Sequence, residues 1–151
     1  MKNAKLLLCA LAMLAFIGCD GKEPVGPGGK NTLAYTKWKL IGFFDVNENK
    51  LTEPVVAESC DNCYTLQFYD TTGCNGRAVK NSFRGYYRAN YTYSTIEFVD
   101  SLSETLVEEP DEEANRYLAD LQNVNAFELK DVELKLYYNN KKNYLLFKRR
   151  Q

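Results

Sequence analysis

The chain has 151 residues, with 19 basic against 20 acidic side chains and no histidine. A near-neutral balance leaves no basic footprint for nucleic acid, so no nucleic-acid partner is expected. The missing histidine removes Ser-His-Asp and Cys-His catalysis, His-ligated zinc and imidazole acid–base chemistry together. Neither an enzyme, a metal nor a cofactor is expected. The first element in chain order is an apolar run, Leu6–Ile17, preceded by Lys2 and Lys5. A membrane-spanning helix needs about 20 apolar residues. A shorter run behind a positive start instead suits the apolar part of a secretory signal.

The segment Phe16-Ile17-Gly18-Cys19 resembles a bacterial lipobox, in which Gly precedes a Cys that is acylated and becomes the first mature residue. The resemblance implies a signal peptide over 1–18 and lipidation at Cys19. It also implies a protein held in the cell envelope, at the outer membrane, by its N-terminal lipid. Residues 19–32 then form the lipidated Cys and a flexible tether. The stretch Asp20–Asn31 is rich in Gly, Pro and charge and lacks apolar periodicity. Residues 33–151 make one domain of ordinary size.

Most of that domain alternates as strands do. Trp38, Leu40, Gly42 and Phe44 share one face, and Lys37, Lys39, Ile41 and Phe43 the other. Leu66 and Phe68 alternate with Thr65, Gln67 and Tyr69. A turn is expected over Asp70–Gly76, which ends in Asn-Gly. Further strands are expected around 77–83, 85–89 and 92–99. At Pro110 the spacing becomes helical, with Ala114, Tyr117, Leu118 and Leu121 on one stripe. Pro110 suits the first helical position. Asp111, Glu112 and Glu113 then meet the positive end of the helix dipole, a simpler account than a calcium site shared with Glu108 and Glu109. The last residues alternate again: Phe127 and Leu129, then Val132, Leu134, Leu136 and Tyr138. A turn follows at 139–142 and a strand returns over 144–148. One wet face and one buried face is antiparallel behaviour. The expected fold is therefore mainly β, a small antiparallel barrel or curled sheet with one α-helix. Lys148-Arg149-Arg150 reads as a solvated basic end.

Five cysteines occur in the chain. Cys60-Asp-Asn-Cys63 has the spacing of redox and half-zinc sites, but it runs into a strand pattern rather than a helix. A Cys60–Cys63 disulfide with Cys74 free is expected. With Cys74 at the far end of the hairpin, six or so strand residues at ~3.3 Å each separate it from Cys63. That exceeds the ~4.4–6.8 Å between α-carbons that a disulfide tolerates.

Tyr86, Tyr87, Tyr91 and Tyr93 cluster in a chain with 11 tyrosines. Such rings can stack on sugars or grip a protein, although Tyr is also a good strand residue. Asp70-Thr71-Thr72 and Asp100-Ser101-Leu102 resemble the Asp-Ser/Thr-apolar sequon of Bacteroides-type exported proteins. The resemblance implies O-glycosylation at Thr71 and Ser101.

The order of segments resembles the META (HslJ-like) domain. The residues that carry it are Tyr35–Leu40, Thr65–Phe68, Gly73-Cys74-Asn75-Gly76 with Gly85-Tyr86-Tyr87, Tyr117–Leu121, Leu134–Tyr138 and Tyr144–Phe147. The whole chain is also similar to small lipoproteins of Bacteroides-type bacteria, through Cys60–Leu66 and Asn140–Leu146. These resemblances imply a calycin- or META-like β domain and a stress- or envelope-related role, and they supply no catalytic residues. Two functions remain: a non-catalytic module that binds an envelope protein or glycan, or a barrel that holds a small apolar ligand. Large side chains pointing inward would favour the first.

Overall fold

The computed structural model describes residues 32–55 and 60–151. The signal, lipidation and tether readings up to residue 31 lie outside these residues. The described chain forms nine strands: β1 (Thr36–Asp45), β2 (Lys50–Thr52), β3 (Thr65–Phe68), β4 (Gly73–Arg77), β5 (Ser82–Asn90), β6 (Thr95–Glu104), β7 (Ala126–Leu129), β8 (Glu133–Tyr138) and β9 (Asn143–Arg150). One helix, α1 (Glu112–Gln122), stands between β6 and β7. All pairings are antiparallel, in the order β2-β1-β3-β4-β5-β6-β7-β8-β9. β9 returns to β1, so the sheet closes as a ring. The expected mainly-β fold with one helix is what the chain adopts.

Alternation explains the core. Trp38, Leu40, Leu66, Phe68, Leu134, Leu136, Leu145 and Phe147 point inward and are essentially inaccessible. In β1 the alternation breaks. A bulge between Leu40 and Gly42 in its pairing with β9 shifts the parity. Phe43 therefore enters the core, while Phe44 turns out and stacks on Tyr144 at 4.6 Å. This reverses the expected faces of the two residues.

The Asn-Gly dipeptide also departs from expectation. Asn75 and Gly76 lie inside β4, not in a turn. A Cβ on Gly76 would stand 2.1 Å from the Thr65 carbonyl oxygen and 2.3 Å from the Phe83 ring. Glycine is there because two neighbours approach its backbone. The β3–β4 turn falls earlier, at Asp70–Thr72, and Cys74 sits within β4 opposite Phe68.

Helix α1 packs against the core through one face. Asp111 is its N-cap and accepts from the Ala114 N–H at 2.8 Å. Pro110 therefore precedes the cap rather than opening the helix. Ala114, Tyr117 and Leu121 are buried, and Leu118 is partly covered. Tyr117 reaches the core, edge-on to Tyr64 and Phe83, and its hydroxyl donates to the Thr65 carbonyl at 3.0 Å. Glu109 is buried as a clamp, accepting from the Lys80 and Asn81 amides.

The basic end is not a tail. Lys148, Arg149 and Arg150 belong to β9. Arg149 pairs with Trp38 and lies over its ring at 5.0 Å, an attraction that offsets part of the cost of covering a cation. Its Nε and Nη2 are buried and find no hydrogen-bond partner among the described residues.

A face on the outside of the ring

The interior is filled by large side chains, so concave space lies outside it. The largest groove described, about 830 Å³, runs over the outer face of β3–β6 and includes Tyr69, Asn75, Arg77, Arg84 and Ser103. A second, about 550 Å³, adjoins it and shares Tyr69, Arg84 and Ser103. The register builds this face in rows. Gln67, Asn75, Arg84 and Ser103 stand opposite one another across four strands. Gly73, Tyr86 and Val99 form the next row. Neighbouring strands lie about 4.8 Å apart, so each row is a short ladder of side chains.

Tyr69 joins that second row from the turn. Its ring lies on Gly73, where a Cβ would come within 2.3 Å of the ring. Asp70 holds the turn: its Oδ1 accepts from the Thr72 amide at 2.7 Å, the Thr72 hydroxyl and the Gly73 amide. These bonds, led by the backbone amides, hold its carboxyl below the usual carboxylate range. A depressed carboxyl contributes stability above its unfolded pKa of about 3.9 and loses it as pH falls through the folded value. Thermal melts between pH 5 and pH 2 should therefore show a steeper acid loss in the parent chain than in Asp70→Asn. Equal slopes would remove Asp70 from the acid response.

The four clustered tyrosines do not act together. Tyr87 is 1% exposed, edge-on to Phe68, and its hydroxyl donates to the Asp70 carbonyl at 2.9 Å. It is a core residue, not a binding aromatic. Tyr86 is its outward neighbour, 62% exposed. Tyr91 packs edge-on to Phe127 and accepts from the Leu33 amide at 3.0 Å. Tyr93 is 76% exposed in the β5–β6 turn. Tyr69 and Arg84 join Tyr86 on the grooved face, and no cluster in the sequence marks them. Their membership follows from strand parity and from a turn that falls at Asp70–Thr72, before Asn75-Gly76.

Thr71 is exposed in the β3–β4 turn. Ser101 is exposed as well, but it stands within β6 rather than in a turn. Asp100 has φ 57°, and the β5–β6 register shifts between Arg84 and Tyr86. Gln122 of α1 braces this irregularity. Its side chain accepts from the Leu102 amide and donates to the Asp100 carbonyl, both at 2.9 Å.

The Cys60–Cys63 disulfide is present, with α-carbons 5.4 Å apart, and Cys74 is free and buried. Burial pushes the Cys74 thiol up to about 12, which makes it a packing residue rather than a nucleophile. Lys39 donates to the Cys60 and Cys63 carbonyls, each at 2.6 Å. Burial, then the Arg150 cation, lowers the Lys39 pKa. Arg150 itself donates to the Asp61 carbonyl at 2.8 Å. The disulfide loop is thus fastened to β1 and β9. Among the described residues, no group of three or more His, Cys, Asp or Glu is placed to hold a metal ion. None of the described helices is long and apolar enough to cross a membrane.

No family profile matches the chain. A protein of Tannerella forsythia named "Putative lipoprotein" is 26% identical over 139 residues, covering 91% of this chain and 89% of that one. A DUF4847 family protein from Bacteroides vulgatus has a similar structure, with a TM-score of 0.59 at 15% identity. The likeness covers 80% of this chain and 96% of the other. At that identity the two share a fold.

Proposed function

We propose that the chain is an exported lipoprotein, acylated at Cys19 and held at the outer membrane. Its β domain then acts as a non-catalytic module that binds an envelope protein or glycan. The anchoring reading rests on the lipobox-like Gly18-Cys19, and the lipoprotein relative from Tannerella forsythia, matched over nine-tenths of the chain, supports it. The stress-related role that a META-like order implies belongs to the same reading.

The observation that carries the binding mode is the filled interior. Trp38, Phe68, Phe147, Leu134 and Leu136 occupy the space that an apolar ligand would need. A ring packed to native density has no room for cargo. The solvent-facing grooves are then where a partner meets the domain. Native mass spectrometry of chain extracted from its membrane tests this. The expected mass is that of the acylated polypeptide alone. A stoichiometric apolar molecule that survives extraction and leaves on denaturation would favour the ligand-holding barrel.

A further inference from the structure

We propose that the outer face of β3–β6 is a saccharide-binding face, and that the sugar it takes carries a carboxylate. The inference rests on the binding-module reading and names the class of ligand. Three features of the face point to it. The first is the polar row of Gln67, Asn75, Arg84 and Ser103, held in ladder order by the strand register. Its amides, guanidinium and hydroxyl offer both donors and acceptors, as the hydroxyl edge of a sugar requires. The second is the bordering pair of rings. Tyr86 stands outward, and the Tyr69 ring packs over Gly73, where a Cβ would leave it no room. A sugar ring has apolar C–H faces beside its polar edge, and Tyr offers an apolar body with a polar tip. The centre of a protein–protein contact is also rich in Tyr and Arg, but it is more apolar than this face and poor in Ser. Val99 is the one aliphatic side chain in these two rows.

The third feature is charge. Arg88 pairs with Glu97 and Arg116 with Asp120, both as ion pairs. Arg84 lines both grooves and has no such partner among the described residues. Arg77 lines the larger groove too and spends its Nε on the Val79 carbonyl at 2.9 Å. Glu104 also lines the larger groove and Asp100 the smaller. Neither carboxylate stands in the polar row with Arg84. A planar guanidinium takes a carboxylate through two parallel hydrogen bonds, a geometry that lysine lacks.

The test uses the full acylated chain in detergent against polygalacturonate, alginate and hyaluronan, each also as its methyl ester. At least one free acid should bind, and esterification should abolish that binding. Arg84→Ala and Tyr86→Ala should each weaken it about tenfold or more, and Arg84→Lys should restore little. Tyr93→Ala removes a still more exposed ring that lines neither groove, and it should leave binding unchanged. Absence of binding to all three acids would overturn the proposal. So would binding that is indifferent to Arg84→Ala or Tyr86→Ala, or that is equally weakened by Tyr93→Ala. Failure here would leave the anchoring untouched, because the acyl group is read separately from the mass of the N-terminal peptide.

Discussion

Replacing Tyr117 with alanine is expected to cost about 3–5 kcal/mol of stability, as large aromatic truncations in a core do. Few single side chains in this domain join as many elements. The Tyr117 ring comes from α1 and meets Tyr64 before β3, Phe83 of β5 and Phe147 of β9. Its hydroxyl also satisfies the Thr65 carbonyl. Removing the ring leaves a cavity where the helix packs on the core, and it strands a part-buried acceptor. A domain of this size has a total stability of roughly 5–15 kcal/mol. The midpoint of thermal unfolding should fall by about 10 °C or more. Tyr117→Phe keeps the packing and should cost only about 1–2 kcal/mol. Denaturant melts of the three proteins decide the matter. A loss under about 1 kcal/mol for the alanine variant would mean that the helix is an appendage, not part of the core.

The second large effect concerns anchoring. Cys19→Ala should move nearly all of the protein from the membrane to the soluble fraction of its host. Each buried methylene contributes about 0.8 kcal/mol, and two or more acyl chains hold a protein stably where one chain does not. The face that carries Tyr69, Tyr86 and Arg84 mixes aromatic with polar groups. Fractionation with an alkaline carbonate wash reads the outcome. A variant that stays with the membrane after losing residues 1–18 would be held by the β domain itself, and the lipid would not be the anchor.

The legible parts of the fold are those where one face is dry and the other wet. Leu134, Leu136, Leu145 and Phe147 alternate without interruption, and the structure buries them all. The helix was equally plain, since Ala114, Tyr117 and Leu121 keep a period of 3.6 behind an acidic first turn. What stayed hidden depends on single-residue shifts. A bulge before Gly42 exchanges Phe43 and Phe44, and nothing in Ile41-Gly42-Phe43-Phe44 announces it. Asn75-Gly76 has the composition of a hairpin turn, but the glycine serves a close approach by Thr65 and Phe83. The hairpin therefore turns at Asp70–Thr72, and the grooved face forms on the strands that follow from it. Tyr86 and Tyr87 look alike in sequence, and parity alone sends one to solvent and the other to the core. Tyr69 and Arg84 lie fifteen positions apart and meet only after three strands are paired in register.

The disulfide was legible for a sturdier reason. Cys74 pairs with Phe68 rather than lying in the turn, yet it is still too far along the hairpin to reach Cys63. Strand length sets that separation wherever the turn falls.

The most direct test of the whole account is the mass of the N-terminal peptide from chain purified out of its own membrane. The account predicts a peptide that begins at Cys19, carries fatty acyl groups and contains nothing of residues 1–18. A peptide that begins at Met1, or a Cys19 free of fatty acid, would contradict it.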